Sequence, residues 1–196
     1  MTSSLKIKHH LILASASPRR RDLLAQIGIT PDLIIPANID EQAYPQESPR
    51  QLAERLAASK AACLKADYPD HFILAADTVV ALGRRLLGKA ETTAQAGKFL
   101  ALLSGRRHKV YSGISLILPN GKQITRVVMT SVTFKRLSQG EITAYLSHKE
   151  WQGKAGAYAI QGLAASFIKS ISGSYSNVVG LPLFETTNML RGNGVA

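Results

Sequence analysis

The sequence predicts an α/β fold: a two-lobed, twisted mixed sheet flanked by helices around a central cleft. Three observations predict it. Short apolar runs of strand character are interleaved with stretches that open on a helix-start signal, Ser17-Pro18 and again Ser48-Pro49. Residues 110–118 and 123–134 flank Pro119-Asn120-Gly121, which reads as a β-hairpin. Strands and helices also mix without strict βαβ alternation, so the sheet is expected to be mixed rather than all-parallel. The 196 residues suffice for one domain, 1–196, with two closely joined lobes, and no repeat, low-complexity tract or Pro/Gly linker divides them.

The first element is Leu11-Ile12-Leu13-Ala14, a short apolar run ending in small residues, read as a buried strand. Ser17 then serves as N-cap and Pro18 as first helical residue, with Leu23, Leu24 and Ile27 at helical spacing. A strand entering a helix start points backbone N–H groups outward at the positive end of a helix dipole. Here that end carries Arg19-Arg20-Arg21, whose planar forks suit phosphate oxygens. Local pattern alone leaves two readings open, a docking place for a polyphosphate and a solvated basic helix start.

Leu33-Ile34-Ile35 reads as a short strand leading into the polar loop 38–44. Ser48-Pro49 opens a helix to about Lys65. On a wheel of roughly 100° per residue, Leu52, Ala53, Leu56, Cys63 and Leu64 share one arc, and Lys60 falls in its middle. A lysine there either snorkels, the commoner fate, or meets an anion. Residues 71–82 form a nearly continuous apolar run, the pattern of a strand buried on both faces, with one acid, Asp77. An ionised carboxylate in such a run must be paired, hydrogen-bonded by backbone N–H groups or bound to a metal.

Leu86-Leu87-Gly88-Lys89 ends a short strand. Thr92 or Thr93 caps a helix through Leu103 that stops at Gly105, and Ser138-Gln139-Gly140-Glu141 is a capping box. Beyond it the chain is punctuated by glycines, with a strand expected over 166–171 and a last helix from about Pro182. Glycines beside polar side chains fit either a backbone shaped around a ligand or a loop-rich lobe.

Composition bounds the function. At 45% hydrophobic and 19% charged residues the chain is ordinary for a globular protein, and its single cysteine, Cys63, excludes a disulfide framework or a thiolate metal site. Lys6 and Lys8 before Leu11-Ile12-Leu13 and Ala14-Ser15-Ala16 mimic a signal peptide. The apolar core is too short for export, no stretch could span a membrane, and a cytoplasmic location is expected. The net charge of +11 favours an anionic partner. The basic residues are scattered, without the aromatic interleaving of single-strand binders, which argues against nucleic acid. The histidines (His9, His10, His71, His108 and His148) show no metal-ligand spacing.

Together, Ser15-Ala16-Ser17-Pro18-Arg19-Arg20, Ala76-Asp77-Thr78-Val79-Val80, Leu103-Ser104-Gly105-Arg106, the run Gly153 to Gly162 and the run Gly173 to Pro182 resemble the Maf family, in order over nearly the whole chain. The resemblance implies an inosine-triphosphatase-like fold and a nucleoside triphosphate pyrophosphatase that cuts between the α and β phosphates with Mg²⁺ or Mn²⁺. It also implies a homodimer, and the family's name derives from septum formation and division arrest. Arg19, Thr78 and Gln161 occupy the positions that separate substrate classes and match the dTTP/UTP branch; the branch acting on 7-methyl-GTP would carry Trp, Gln and Glu there. A Gln amide offers the donor and acceptor that a uracil or thymine edge needs. Ala90 stands where the family usually has proline and Ala159 where glycine is common.

By that resemblance Asp77 is the general base or a metal ligand that orients water, and Glu41, beside Asp40, helps hold the divalent ion. Ser15, Arg19 and Arg20 bind the phosphates with the helix start. Lys60 and Lys89 match positions that face the triphosphate, which reverses the snorkelling expectation for Lys60. The competing readings are a 7-methyl-GTP pyrophosphatase and a non-catalytic protein that binds nucleic acid or a division partner.

Overall fold

The computed structural model describes residues 10–195; Lys6, Lys8 and His9 lie outside them. Strand β1 (Leu11–Ala14) leads into helix α1 (Pro18–Gln26), followed by β2 (Leu33–Ile34), α2 (Pro49–Ala62), β3 (Phe72–Leu82) and β4 (Arg85–Leu87). Helix α3 (Thr93–Leu103), the hairpin β5 (Arg107–Ile117) and β6 (Gln123–Phe134), and α4 (Gln139–Ser147) come next. A 3-10 turn (Leu163–Phe167), β7 (Ile168–Ser172), α5 (Tyr175–Val179) and α6 (Leu183–Arg191) complete the order.

The sheet runs β2-β1-β3-β5-β6-β7, with β4 also on β3. It is mixed, as expected: β1 is parallel to β2 and β3, and every later pairing is antiparallel. Period-two alternation makes β1 and β3 two-faced. Leu11, Leu13, Phe72, Leu74 and Ala76 join one apolar cluster, with Val110, Ile114, Phe134 and side chains of α3, α4 and α6. Ile12, Ala14, Ile73 and Ala75 face the other way, onto Ala61 and Leu64. Helices therefore cover both faces. No helix among the described residues is long and apolar enough to cross a membrane.

Strand pairing leaves one gap. β1 pairs with β3 as far as Ala14 opposite Ala75, and β4 begins only at Leu87 opposite Val80. Between them the edge of β3 from Ala76 to Val79 has no strand beside it among the described residues. Asp77 and Thr78 sit in this gap.

Several local expectations need correction. Ser17 stands at the N-cap of α1 but its side chain makes no capping bond; its N–H donates instead to Ser15 Oγ at 3.2 Å. Helix α2 stops at Ala62, three residues early; Leu64 beyond it is buried as expected, but Cys63, the C-cap, is exposed. The strand expected over 166–171 starts only at Ile168, because the preceding residues coil into the 3-10 turn that buries Ala164 and Phe167. Helix α5 was not anticipated. Its cap, Ser174 Oγ accepting from Asn177 N, was hidden among glycines and hydroxyls.

Candidate active site

A cleft of about 420 Å³ opens at the gap in β3. Ser15, Arg19, Arg20, Glu41, Lys60, Asp77, Thr78, Lys89 and Gln161 all line it. The reason begins with β1, which ends where its partner strand continues. The chain turns there into α1, and the helix start stands over the uncovered edge of β3. Asp77 and Thr78, neighbours in a strand, project to opposite faces. Asp77 faces α2 and Thr78 faces α5.

On the α2 side, Lys60 is buried, and its Nζ lies 2.6 Å from Asp77 Oδ1 and 2.5 Å from Glu41 Oε1. Lys89 Nζ stands 3.5 Å from Glu41 Oε2. The inward lysine of the wheel thus meets two carboxylates. Burial pushes the Glu41 carboxyl up, but Lys60 and Lys89 outweigh it and hold the group below its ordinary value. Asp40 does not join the cluster: its Oδ1 accepts from Gln42 N at 2.9 Å, within its own loop. Helix α2 reaches this depth because Gly113, opposite Asp77 in β5, has no side chain. A Cβ there would lie 2.0 Å from Ala53 O.

On the α5 side, Arg20 donates to Ser15 Oγ (3.1 Å), Thr78 Oγ1 (3.3 Å) and Gly180 O (2.9 Å), and Arg19 donates to Val179 O (3.2 Å). All these acceptors are neutral, and among the described residues neither guanidinium forms an ion pair. Burial lowers the pKa of both, and at Arg20 the nearby Arg19 lowers it further while Asp77 and Glu41 raise it. The first turn of α1 has no acid, only cations at the positive end of the dipole. Like charge piled on like charge at the positive end of a helix dipole is locally destabilising, and an anion is the kind of group that would relieve it.

Thr78 Oγ1 lies 3.1 Å from Ser112 Oγ, which donates to Asn177 O at 3.1 Å. Fully buried Asn177 donates to Val110 O and Thr130 Oγ1. These residues tie α5 to the hairpin and hold Val179 and Gly180 where the arginines need acceptors. Sequence reasoning missed this network, since scattered Ser, Thr and Asn carry no spacing signal. It also missed Lys154, a further cation on the cleft wall whose pKa is lowered by burial and then by Arg19. Its place among Gly153, Ala155 and Gly156 was the available signal. That segment is fixed by Gly156 N donating to Leu87 O at 2.8 Å, and it carries exposed Gln161 to the cleft rim.

The family model described as Maf-like protein matches residues 10–193. A dTTP/UTP pyrophosphatase of Caulobacter vibrioides is 57% identical over 184 residues, 94% of this chain and 95% of that protein. One from Paramagnetospirillum magneticum is 58% identical over 186 residues, 95% of this chain and 98% of that protein. Among solved structures, a HAM1 protein from Coxiella burnetii aligns with a TM-score of 0.51 at 16% identity, covering 94% of this chain and 98% of that one. That likeness is one of fold.

Proposed function

The chain belongs to the Maf-like protein family, and from that premise we propose that it hydrolyses dTTP and UTP to the nucleoside monophosphate and pyrophosphate. The observation that carries the reading is the junction of opposite charges in the β3 gap. Arg19 and Arg20, which form no ion pair among the described residues, stand on one side, and Lys60 between Glu41 and Asp77 stands on the other. A triphosphate is the ligand that needs both, fixed cations for its oxygens and carboxylates for a metal and a water.

Two carboxylates that converge on one cation, Lys60 Nζ, also suit a divalent ion. No group of three or more His, Cys, Asp or Glu side chains gathers among the described residues. Hard oxygen ligands few in number fit Mg²⁺ or Mn²⁺, whose remaining positions go to phosphate oxygens and water. Glu41 and Asp77 would hold the ion, and it would supply charge stabilisation for the departing pyrophosphate. The chain's own groups do the rest. Ser15, Arg19 and Arg20 bind and orient the triphosphate, with Lys60 and Lys89 on its other side. Asp77 accepts a proton from the attacking water as its oxygen bonds to the α-phosphorus. The α–β anhydride bond breaks, and pyrophosphate takes the electron pair. Arg19, Thr78 and Gln161 select the base, Gln161 by its paired donor and acceptor.

The test is pyrophosphate release from a panel of nucleoside triphosphates with Mg²⁺ or Mn²⁺, for wild type and Asp77→Asn. Turnover of dTTP and UTP is expected well above that of purines, with a loss on the order of 10²–10⁴ in the variant. A preference for 7-methyl-GTP would keep the reaction and overturn the base assignment. Absence of turnover would overturn the enzyme.

A further inference from the structure

The loop that carries Glu41 is not held by the cleft alone. Arg55, on α2 five residues before Lys60, reaches back over it. Its Nε lies 2.7 Å from Glu47 Oε1, and Nη2 donates to Glu47 Oε2 and to Gln42 O, each at 2.8 Å. Its guanidinium carbon stands 3.9 Å over the Tyr44 ring. Glu47 Oε2 in turn accepts from Tyr44 N at 3.0 Å. One side chain thus grips the loop through a carboxylate, a ring and the carbonyl of the residue next to Glu41. The Glu47 side chain is only 8% exposed, which sets this pair apart from surface ion pairs of little worth.

We propose that Arg55, acting through Glu47, Tyr44 and the Gln42 carbonyl, is the positioning residue that fixes Glu41 for the divalent ion. The inference rests on the assignment of Glu41 as metal ligand. Helix α2 then serves both ends of the same loop. Arg55 clamps its outer part, and Lys60 holds the Glu41 carboxylate at the inner end until the metal arrives. Without the clamp, Glu41 would have to be ordered by the ion itself, and that ordering would be subtracted from affinity. Arg is required for the task because the fork, the carbonyl contact and the stacking are simultaneous; Lys could reproduce only one of them.

The experiment is Mn²⁺ binding, followed by loss of the free-ion paramagnetic resonance signal, with α,β-imido-dUTP in place of substrate. The proteins are wild type, Arg55→Met, Arg55→Lys, Glu47→Gln, Glu41→Gln and the double variant Arg55→Met/Glu41→Gln, each checked for folding by thermal melting. Arg55→Met should weaken Mn²⁺ about tenfold, as loss of a partner that orients a metal ligand does. Arg55→Lys should recover little, and Glu47→Gln should weaken binding in the same direction. Glu41→Gln should lose at least as much, and adding Arg55→Met to it should cost nothing further, because the two act as a unit. If Glu41→Gln weakens Mn²⁺ but Arg55→Met and Glu47→Gln do not, the clamp is overturned and the ligand stands. Additive losses in the double variant overturn it as well, since they mark a general structural effect. If Glu41→Gln binds Mn²⁺ like wild type, the ligand assignment falls and the clamp falls with it.

Discussion

His108 is the residue on which solution pH should act most directly. It is 1% exposed on β5, with Nε2 2.8 Å from Tyr158 Oη and its ring edge-on to Phe134, and its Nδ1 finds no hydrogen-bond partner among the described residues. Burial lowers its pKa from 6.5 to about 4, so the folded protein keeps the ring neutral where the unfolded chain would already be charged. The sign follows. Above pH 6.5 neither state binds the proton and stability is unaffected. Between 6.5 and about 4 only the unfolded state binds it, and stability falls as pH falls. The loss should be on the order of 3 kcal/mol by pH 4. Urea midpoints measured down that range should drop for wild type and drop much less for His108→Phe. Equal slopes would show that other groups carry the acid response. Because Tyr158 also lines the cleft, the same neutral ring anchors one of its walls. None of this was legible beforehand: spacing set the histidines aside as metal ligands but could not show that one of them is buried. Lys60 is the opposite case. A lysine in an apolar arc left two fates open, snorkelling or an anion, and Asp77 in an apolar strand already needed a pairing, hydrogen-bonding or metal partner; the structure joins the two.

At the scale of elements, the distance between α2 and the sheet decides whether Lys60 reaches Asp77. Lys60 touches Asp77 only because the helix backbone lies against Gly113. In Gly113→Ala the new methyl would fall 2.0 Å from Ala53 O and 2.9 Å from Ala57 Cβ, so the helix must lift. The expected result is a stability loss of about 1–3 kcal/mol, the usual range for overpacking, with activity falling more than a melting shift alone would cause. Comparing kcat with the melting curve well below the midpoint checks this. Unchanged kcat in a folded variant would show that the α2–β3 spacing does not matter. The helices themselves were readable because their caps are local: Ser48 and Ser138 both form complete capping boxes. Their partners across the sheet were not readable. Gly113 sits inside an ordinary strand pattern, and its need for bareness comes from a backbone sixty residues away in sequence. Helix α5 escaped notice for a related reason, since its stability comes from buried Asn177 and the β5–β6 hairpin rather than from its own short sequence.

For the whole molecule, topology and charge work together. Where β1 stops beside β3 and β4 takes over farther along, the edge of β3 is left uncovered between them, and cations reach it from both faces of the sheet, Lys60 from one and Arg20 from the other. Mixed pairing was legible from the hairpin and the irregular alternation of elements; the gap was not, because where β1 ends relative to β3 is a matter of register. The net charge of +11 extends this local arrangement outward. A triphosphate carries several negative charges and should be drawn to the protein before it touches the cleft, whereas bound substrate is held by short contacts that salt screens weakly. Raising KCl toward physiological ionic strength, where the screening length shrinks to about 8 Å, should therefore lower kcat/KM for dTTP by about tenfold. The value of kcat should stay nearly constant. Initial rates at saturating Mg²⁺, with a neutral salt-excluded osmolyte as control for water activity, separate the two parameters. A parallel fall in kcat would place the salt effect on the bound complex. A flat kcat/KM would mean that the cleft's own arginines, and not the field of the whole chain, capture the substrate.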